Sequence, residues 1–105
     1  MQWILRNKYI LVQWQYSNFD IYLRSMNLQI ASLNSGSNGN SYYIGNEADA
    51  VLIDVGLSLK ETELRMKQMD LSLQKVRAIF ISHEHTDHVR GLSTVANKYK
   101  IPIYI

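Results

Sequence analysis

The sequence predicts a layered α/β domain, and three observations predict it. Two short apolar runs, Val51-Leu52-Ile53 and the one inside Val76-Arg77-Ala78-Ile79-Phe80-Ile81-Ser82, have the length and continuity of strands covered on both faces. Between them, Ser58-Leu59-Lys60-Glu61 has the Ser-x-x-Glu spacing of a helix capping box. Each run then stops at chemistry-bearing residues, Asp54 in one case and His83 in the other. Layered α/β proteins place their sites in the crevice beyond the carboxyl ends of their strands.

With 105 residues and 47% hydrophobic content the chain can bury one modest core, and no composition shift marks a second domain. The formal net charge of +2 arises within the first 26 residues, where Arg6, Lys8 and Arg24 face Asp20 alone. The pI of about 8.9 therefore does not indicate a nucleic-acid surface. There is no cysteine, which excludes a disulfide framework and limits any metal site to nitrogen and oxygen ligands. No apolar run approaches the roughly 18 residues of a membrane span, and Ile10-Leu11-Val12 is too short for a signal-peptide core. A soluble, cytoplasmic chain without membrane contact is expected.

Residues 1–26 form a leader that holds both tryptophans, Trp3 and Trp14, with aromatic residues at no sustained period. It reads as an aromatic docking segment, as an extra strand or irregular leader, or as an extension upstream of a natural start at Met26. The strand pattern that begins directly after Met26 favours the last. From Asn27 to Leu33 the chain alternates into a strand, with Leu28, Ile30 and Leu33 as inward candidates. The seven turn-forming residues Asn34 to Asn40 suit a loop whose backbone amides approach something, but lack the lysine and spacing of a P-loop. Ser41–Ile44 and Ala50–Asp54 read as a hairpin. A helix is predicted over Leu59–Met69 with Leu64 as its buried residue, then a strand over Val76–Ser82. A second helix over His88–Tyr99 follows, capped by Thr86 or Asp87, and a last strand lies in Ile101–Ile105.

All three histidines of the chain fall in the six residues His83-Glu84-His85-Thr86-Asp87-His88. Imidazole and carboxylate are ligands that borderline divalent ions such as zinc select. In extended backbone His83 and His85 share a side and can share an ion, while Asp87 and His88 can project toward a neighbouring one. Two ions about 3.5–4 Å apart hold and acidify a bridging water for hydrolysis. A zincin helix is excluded, because the position four after His83 is Asp87. Glu84 reads as solvated, and Asp54 taken alone as a turn or capping residue.

The pattern His83-x-His85-x-Asp87-His88 resembles the signature of the metallo-β-lactamase superfamily. Ser32 to Tyr42 and Leu52-Ile53-Asp54-Val55-Gly56-Leu57-Ser58 resemble more narrowly its bacterial YycJ-like (WalJ-like) branch, whose members are likened to DNA exonucleases and phosphodiesterases. The resemblance runs over residues 27–105. It implies two divalent ions, zinc foremost with manganese or iron as alternatives, the first held by His83 and His85 and the second by Asp87 and His88. Asp87 joins the catalytic set, with Asp54 as a positioning carboxylate.

The fold implied is the N-terminal half of an αββα sandwich. The family's later ligands, a further histidine, a bridging aspartate and a last histidine, have no counterpart here, since no histidine follows His88 and no Asp or Glu follows Asp87. A chain truncated at its C-terminus is therefore expected, with an apolar sheet face open to self-association. The function implied is hydrolysis of a phosphodiester, as in DNA, by a metal-bound hydroxide in the parent protein. The alternatives are a non-catalytic fragment that binds metal or a partner, and a thioester hydrolase of the glyoxalase II kind.

Overall fold

A computed structural model of the chain describes residues 3–6 and 28–105. Six strands form one sheet in chain order: β1 (Trp3–Arg6), β2 (Gln29–Asn34), β3 (Ser41–Gly45), β4 (Ala50–Ile53), β5 (Val76–Phe80) and β6 (Ile103–Tyr104). Each of the first four is antiparallel to its neighbour, and β4, β5 and β6 run parallel. Each parallel step is bridged by helix, as a crossover requires. Helix α1 (Leu59–Gln68) and a 3₁₀ turn (Leu73–Lys75) lie between β4 and β5; α2 (Thr86–Val89) and α3 (Leu92–Tyr99) lie between β5 and β6. Of the leader, Trp3–Arg6 pair with β2 as an additional strand. The other expectations for residues 1–26 fall outside the described residues.

The register places Ala31, Tyr43, Leu52 and Ile79 side by side across β2 to β5, and all four are fully buried. Met66 of α1 and Val95 and Ala96 of α3 complete the same core. The other face carries the cross-strand row Tyr42, Ile53, Phe80 and Tyr104. Phe80 is 42% exposed and Tyr104 53%, their rings stacked at 5.3 Å. No helix among the described residues is long and apolar enough to cross a membrane.

Helix α1 starts where its cap predicts: the Ser58 hydroxyl accepts the Glu61 amide at 3.2 Å. Its buried residue is not Leu64, which is 46% exposed; Thr62 and Met66 are buried instead. Leu64 lies two positions from each, roughly 200° around the helix at about 3.6 residues per turn, so it faces solvent. Glu63 accepts hydrogen bonds from Lys98 and Tyr99, tying α1 to α3. These bonds, Lys98's foremost, hold the Glu63 carboxyl below its ordinary range and raise both partners.

The second predicted helix is two. Thr86–Val89 and Leu92–Tyr99 are separated at Arg90-Gly91, and the cap is His85, with no side-chain capping bond, rather than Thr86 or Asp87. The physical reason lies in where the backbone groups go. In one continuous helix the Gly91 amide would bond the Asp87 carbonyl. Here that carbonyl accepts from the Asn40 amide at 2.7 Å, the Gly91 amide donates to Val55 at 2.9 Å, and the His88 carbonyl accepts from Val55 at 2.8 Å. The loops after β2 and β4 thus take over the bonds the helix gives up, and pin the histidine segment against the sheet.

Candidate metal centre

Asp54 ends β4 in the left-handed conformation, at φ 63°. Aspartate tolerates this region better than most residues, and the turn is held by a hydrogen bond from the Asp54 amide to the Phe80 carbonyl at 2.8 Å and by the Ser41 hydroxyl donating to the Asp54 carbonyl at 2.8 Å. The reversal sends the carboxylate across the end of β5, where it is 2% exposed. Oδ1 accepts the Ser82 amide at 2.7 Å; Oδ2 accepts the Ser82 hydroxyl at 2.5 Å and faces His88 Nδ1 at 2.7 Å. Burying a carboxylate is costly unless it is paired and hydrogen-bonded, and these three contacts meet that condition.

His88 is positioned twice, by Asp54 at its ring and by Val55 at its backbone carbonyl. The Asp54 carboxylate accepts at Nδ1, so in the neutral ring the proton lies there and Nε2 carries the lone pair. That Nε2 is 3.6 Å from Asp87 Oδ2. Ligands about 2.0–2.2 Å from a tetrahedral ion stand roughly 3.3–3.6 Å apart, so the two atoms have the spacing of a ligand pair. Asn40 holds Asp87 from the far side, its Nδ2 at 3.2 Å from both the backbone carbonyl and Oδ2.

The His83 ring stacks obliquely near His88, with centroids 4.8 Å apart, and its Nδ1 is 3.0 Å from Ser82 Oγ. His85 stands further out, its ring 6.2 Å from that of His83. Ligand atoms of Asp54, His83 and His88 all fall within 4.8 Å of one another. His85 and Asp87 lie outside this group, although Asp87 Oδ2 is 3.6 Å from His88 Nε2. Glu84 is exposed. The donor set of imidazole nitrogens and a carboxylate fits a borderline divalent ion.

Sequence reasoning missed two members of the arrangement. Ser82 carries the Asp54 contact, and Asn40 carries Asp87. The position of Ser82 directly before His83 was a usable signal. The amide-rich loop of residues 34–40 was another, since the Asn40 amide does approach a target, the Asp87 carbonyl.

Comparison with known proteins decides the family. Residues 34–105 match the metallo-beta-lactamase superfamily. The chain belongs to that superfamily. Among its relatives, Exodeoxyribonuclease YycJ of Bacillus anthracis is 44% identical over 79 residues, 75% of this chain and 30% of the relative. Exodeoxyribonuclease WalJ of Streptococcus pneumoniae is 38% identical over 72 residues, 69% of this chain and 27% of the relative. The FEZ-1 metallo-beta-lactamase of Legionella gormanii superposes with a TM-score of 0.61 at 18% identity over 70% of this chain and 29% of that one, a likeness of fold. The chain spans about 30% of the length of the YycJ relative. The sheet and its helices match part of the metallo-beta-lactamase fold, and membership implies metal ions, for which Asp54, His83 and His88 form one possible site.

Proposed function

We propose that this chain supplies the first group of metal ligands of a hydrolase acting on the phosphodiester bonds of DNA. The observation that carries the reading is the buried Asp54 carboxylate, which orients His88 so that Nε2 faces the Asp87 carboxylate at ligand spacing. Carboxylate–histidine pairs of this kind support metal-ligating imidazoles. In the reading, His83, His85, Asp87 and His88 hold two divalent ions, with zinc, manganese and iron as the candidates, and Asp54, close enough to His83 and His88 to ligate with them, acts instead through its bonds to Ser82 and His88. Bound divalent ions supply Lewis acidity and an activated water. The chain's own residues fix the ring orientations, leave Nε2 of His88 unprotonated and aim the Asp87 carboxylate. The exodeoxyribonuclease relatives support DNA as the substrate class.

Two measurements on the purified chain test this: divalent metal bound at equilibrium, and release of nucleotides from end-labelled DNA. Zinc or manganese bound by the wild type and lost in His83→Ala/His88→Ala is the expected result, with any nucleotide release by the wild type lost in the same variant. Metal retention equal in the two proteins sinks the reading. Metal bound without turnover favours instead the non-catalytic metal-binding fragment.

A further inference from the structure

We propose that the Ser82 hydroxyl is a positioning group that determines which nitrogen of His83 carries its proton, completing a relay that begins at Asp54. A serine hydroxyl has one proton to donate. Toward Asp54 Oδ2, at 2.5 Å, it donates, because an ionised carboxylate only accepts. Toward His83 Nδ1, at 3.0 Å, the same oxygen therefore has only lone pairs to offer. The contact is a hydrogen bond when Nδ1 carries the proton and opposes two lone pairs when it does not. His83 is consequently held as the Nδ1–H tautomer, with Nε2 left as an acceptor.

The same buried carboxylate acts on His88 without an intermediary, through Nδ1 at 2.7 Å. One aspartate thus sets the tautomers of two rings, 29 and 34 residues away in sequence, directly for His88 and through Ser82 for His83. Both rings then present Nε2, and their centroids are 4.8 Å apart. The Ser82 amide bonds Oδ1 of the same aspartate at 2.7 Å, which keeps the hydroxyl in place and is untouched by changes to the side chain. The consequence for metal rests on the metal-site reading above; the tautomer does not.

Side-chain ¹⁵N NMR of the metal-free full chain tests the relay. Spectra are recorded across pH, and the tautomer is read on the alkaline plateau, where the ring nitrogen shifts no longer change. In the wild type, His83 is expected to show a protonated Nδ1 and an unprotonated Nε2. In Ser82→Ala the His83 signals should move toward a mixture with protonated Nε2, while those of His88 stay fixed, which also reports that the fold around Asp54 is intact. Ser82→Thr, which keeps the hydroxyl, should match the wild type. A wild-type His83 protonated on Nε2, or a Ser82→Ala spectrum unchanged at His83, overturns the proposal. Zinc titration supplies the second readout, with the dissociation constant of Ser82→Ala expected about 10-fold above that of the wild type and Ser82→Thr within about 2-fold of it. Wild-type protein that binds no zinc overturns the metal reading and leaves the tautomer, measured without metal, to decide the relay alone.

Discussion

Gly56→Ala gives a direct measure of how tightly the histidine segment is held to the sheet. A Cβ on Gly56 would sit 1.9 Å from the Asp87 carbonyl oxygen and 2.5 Å from the Asn40 amide nitrogen, both of them backbone atoms. Relief to an ordinary contact of roughly 3.5 Å requires the α2 backbone or the loop to move by more than an ångström. That movement separates the bonds from Asn40 N to the Asp87 carbonyl, 2.7 Å, and from Gly56 N to the Asn40 carbonyl, 2.9 Å. Two hydrogen bonds at about 1 kcal/mol each and overpacking of about 1–3 kcal/mol give a loss of about 3–5 kcal/mol. Reduced chain entropy in the unfolded state offsets at most about 1 kcal/mol of this. A net loss of about 2–5 kcal/mol is large against a total stability of about 5–15 kcal/mol. Urea unfolding followed by far-UV circular dichroism measures it. A variant within 1 kcal/mol of the wild type, roughly the scale of one hydrogen bond, would refute the claim that this contact clamps Asp87 and His88 in place.

Three further outcomes are expected. Met66→Ala should lose about 2–5 kcal/mol in the same assay as a core truncation, whereas Leu64→Lys should stay within about 0.5 kcal/mol; equal losses would mean that α1 packs through a different face. The Glu63 cluster should shape both ends of the pH–stability curve. Its depressed carboxyl adds stability that is present above the ordinary value of 4.5 and is lost as pH falls through the lower folded value. The raised Tyr99 and Lys98 add stability that is present below about 10.0 and 10.5 and is lost as pH rises through their higher folded values. Glu63→Gln should flatten both limbs, and an unchanged acid limb would contradict the assignment. Asp54→Asn should cost about 3 kcal/mol or more, because donors that met a charged acceptor worth about 1.5–3 kcal/mol each now meet an amide; a loss below 1 kcal/mol in urea unfolding would show that the carboxylate does not organise the turn.

Much of the layout was legible because it follows local rules. The strand ends at Asp54 and Ser82, the Ser58 cap and the His83 to His88 cluster are stated by residue type and spacing. What escaped was set by partners remote in sequence. The burial of Leu64 failed as an expectation because hydrophobicity alone does not say which stripe of a short, charged helix meets the sheet, and here Thr62 and Met66 do. The break at Gly91 arises from bonds to Val55 and Asn40, 36 and 47 residues distant from their partners Gly91 and Asp87. The pairing of His83 with His85 was inferred from extended backbone. The structure sets the His83 ring 4.8 Å from that of His88 and 6.2 Å from that of His85, because the turn into α2 brings His88 back toward His83.

The parallel pairing of β4 with β5 is what sets Ser82 beside Asp54. A peptide spanning only the histidine segment would hold the same side chains with none of their orientation. Contacts between residues so far apart are closed after local structure has formed, since loop-closure entropy must first be overcome. The arrangement of side chains around Asp54 accordingly depends on closure of the sheet. Until the β4–β5 register closes, local structure alone holds the histidines, and their orientation is fixed when the sheet is.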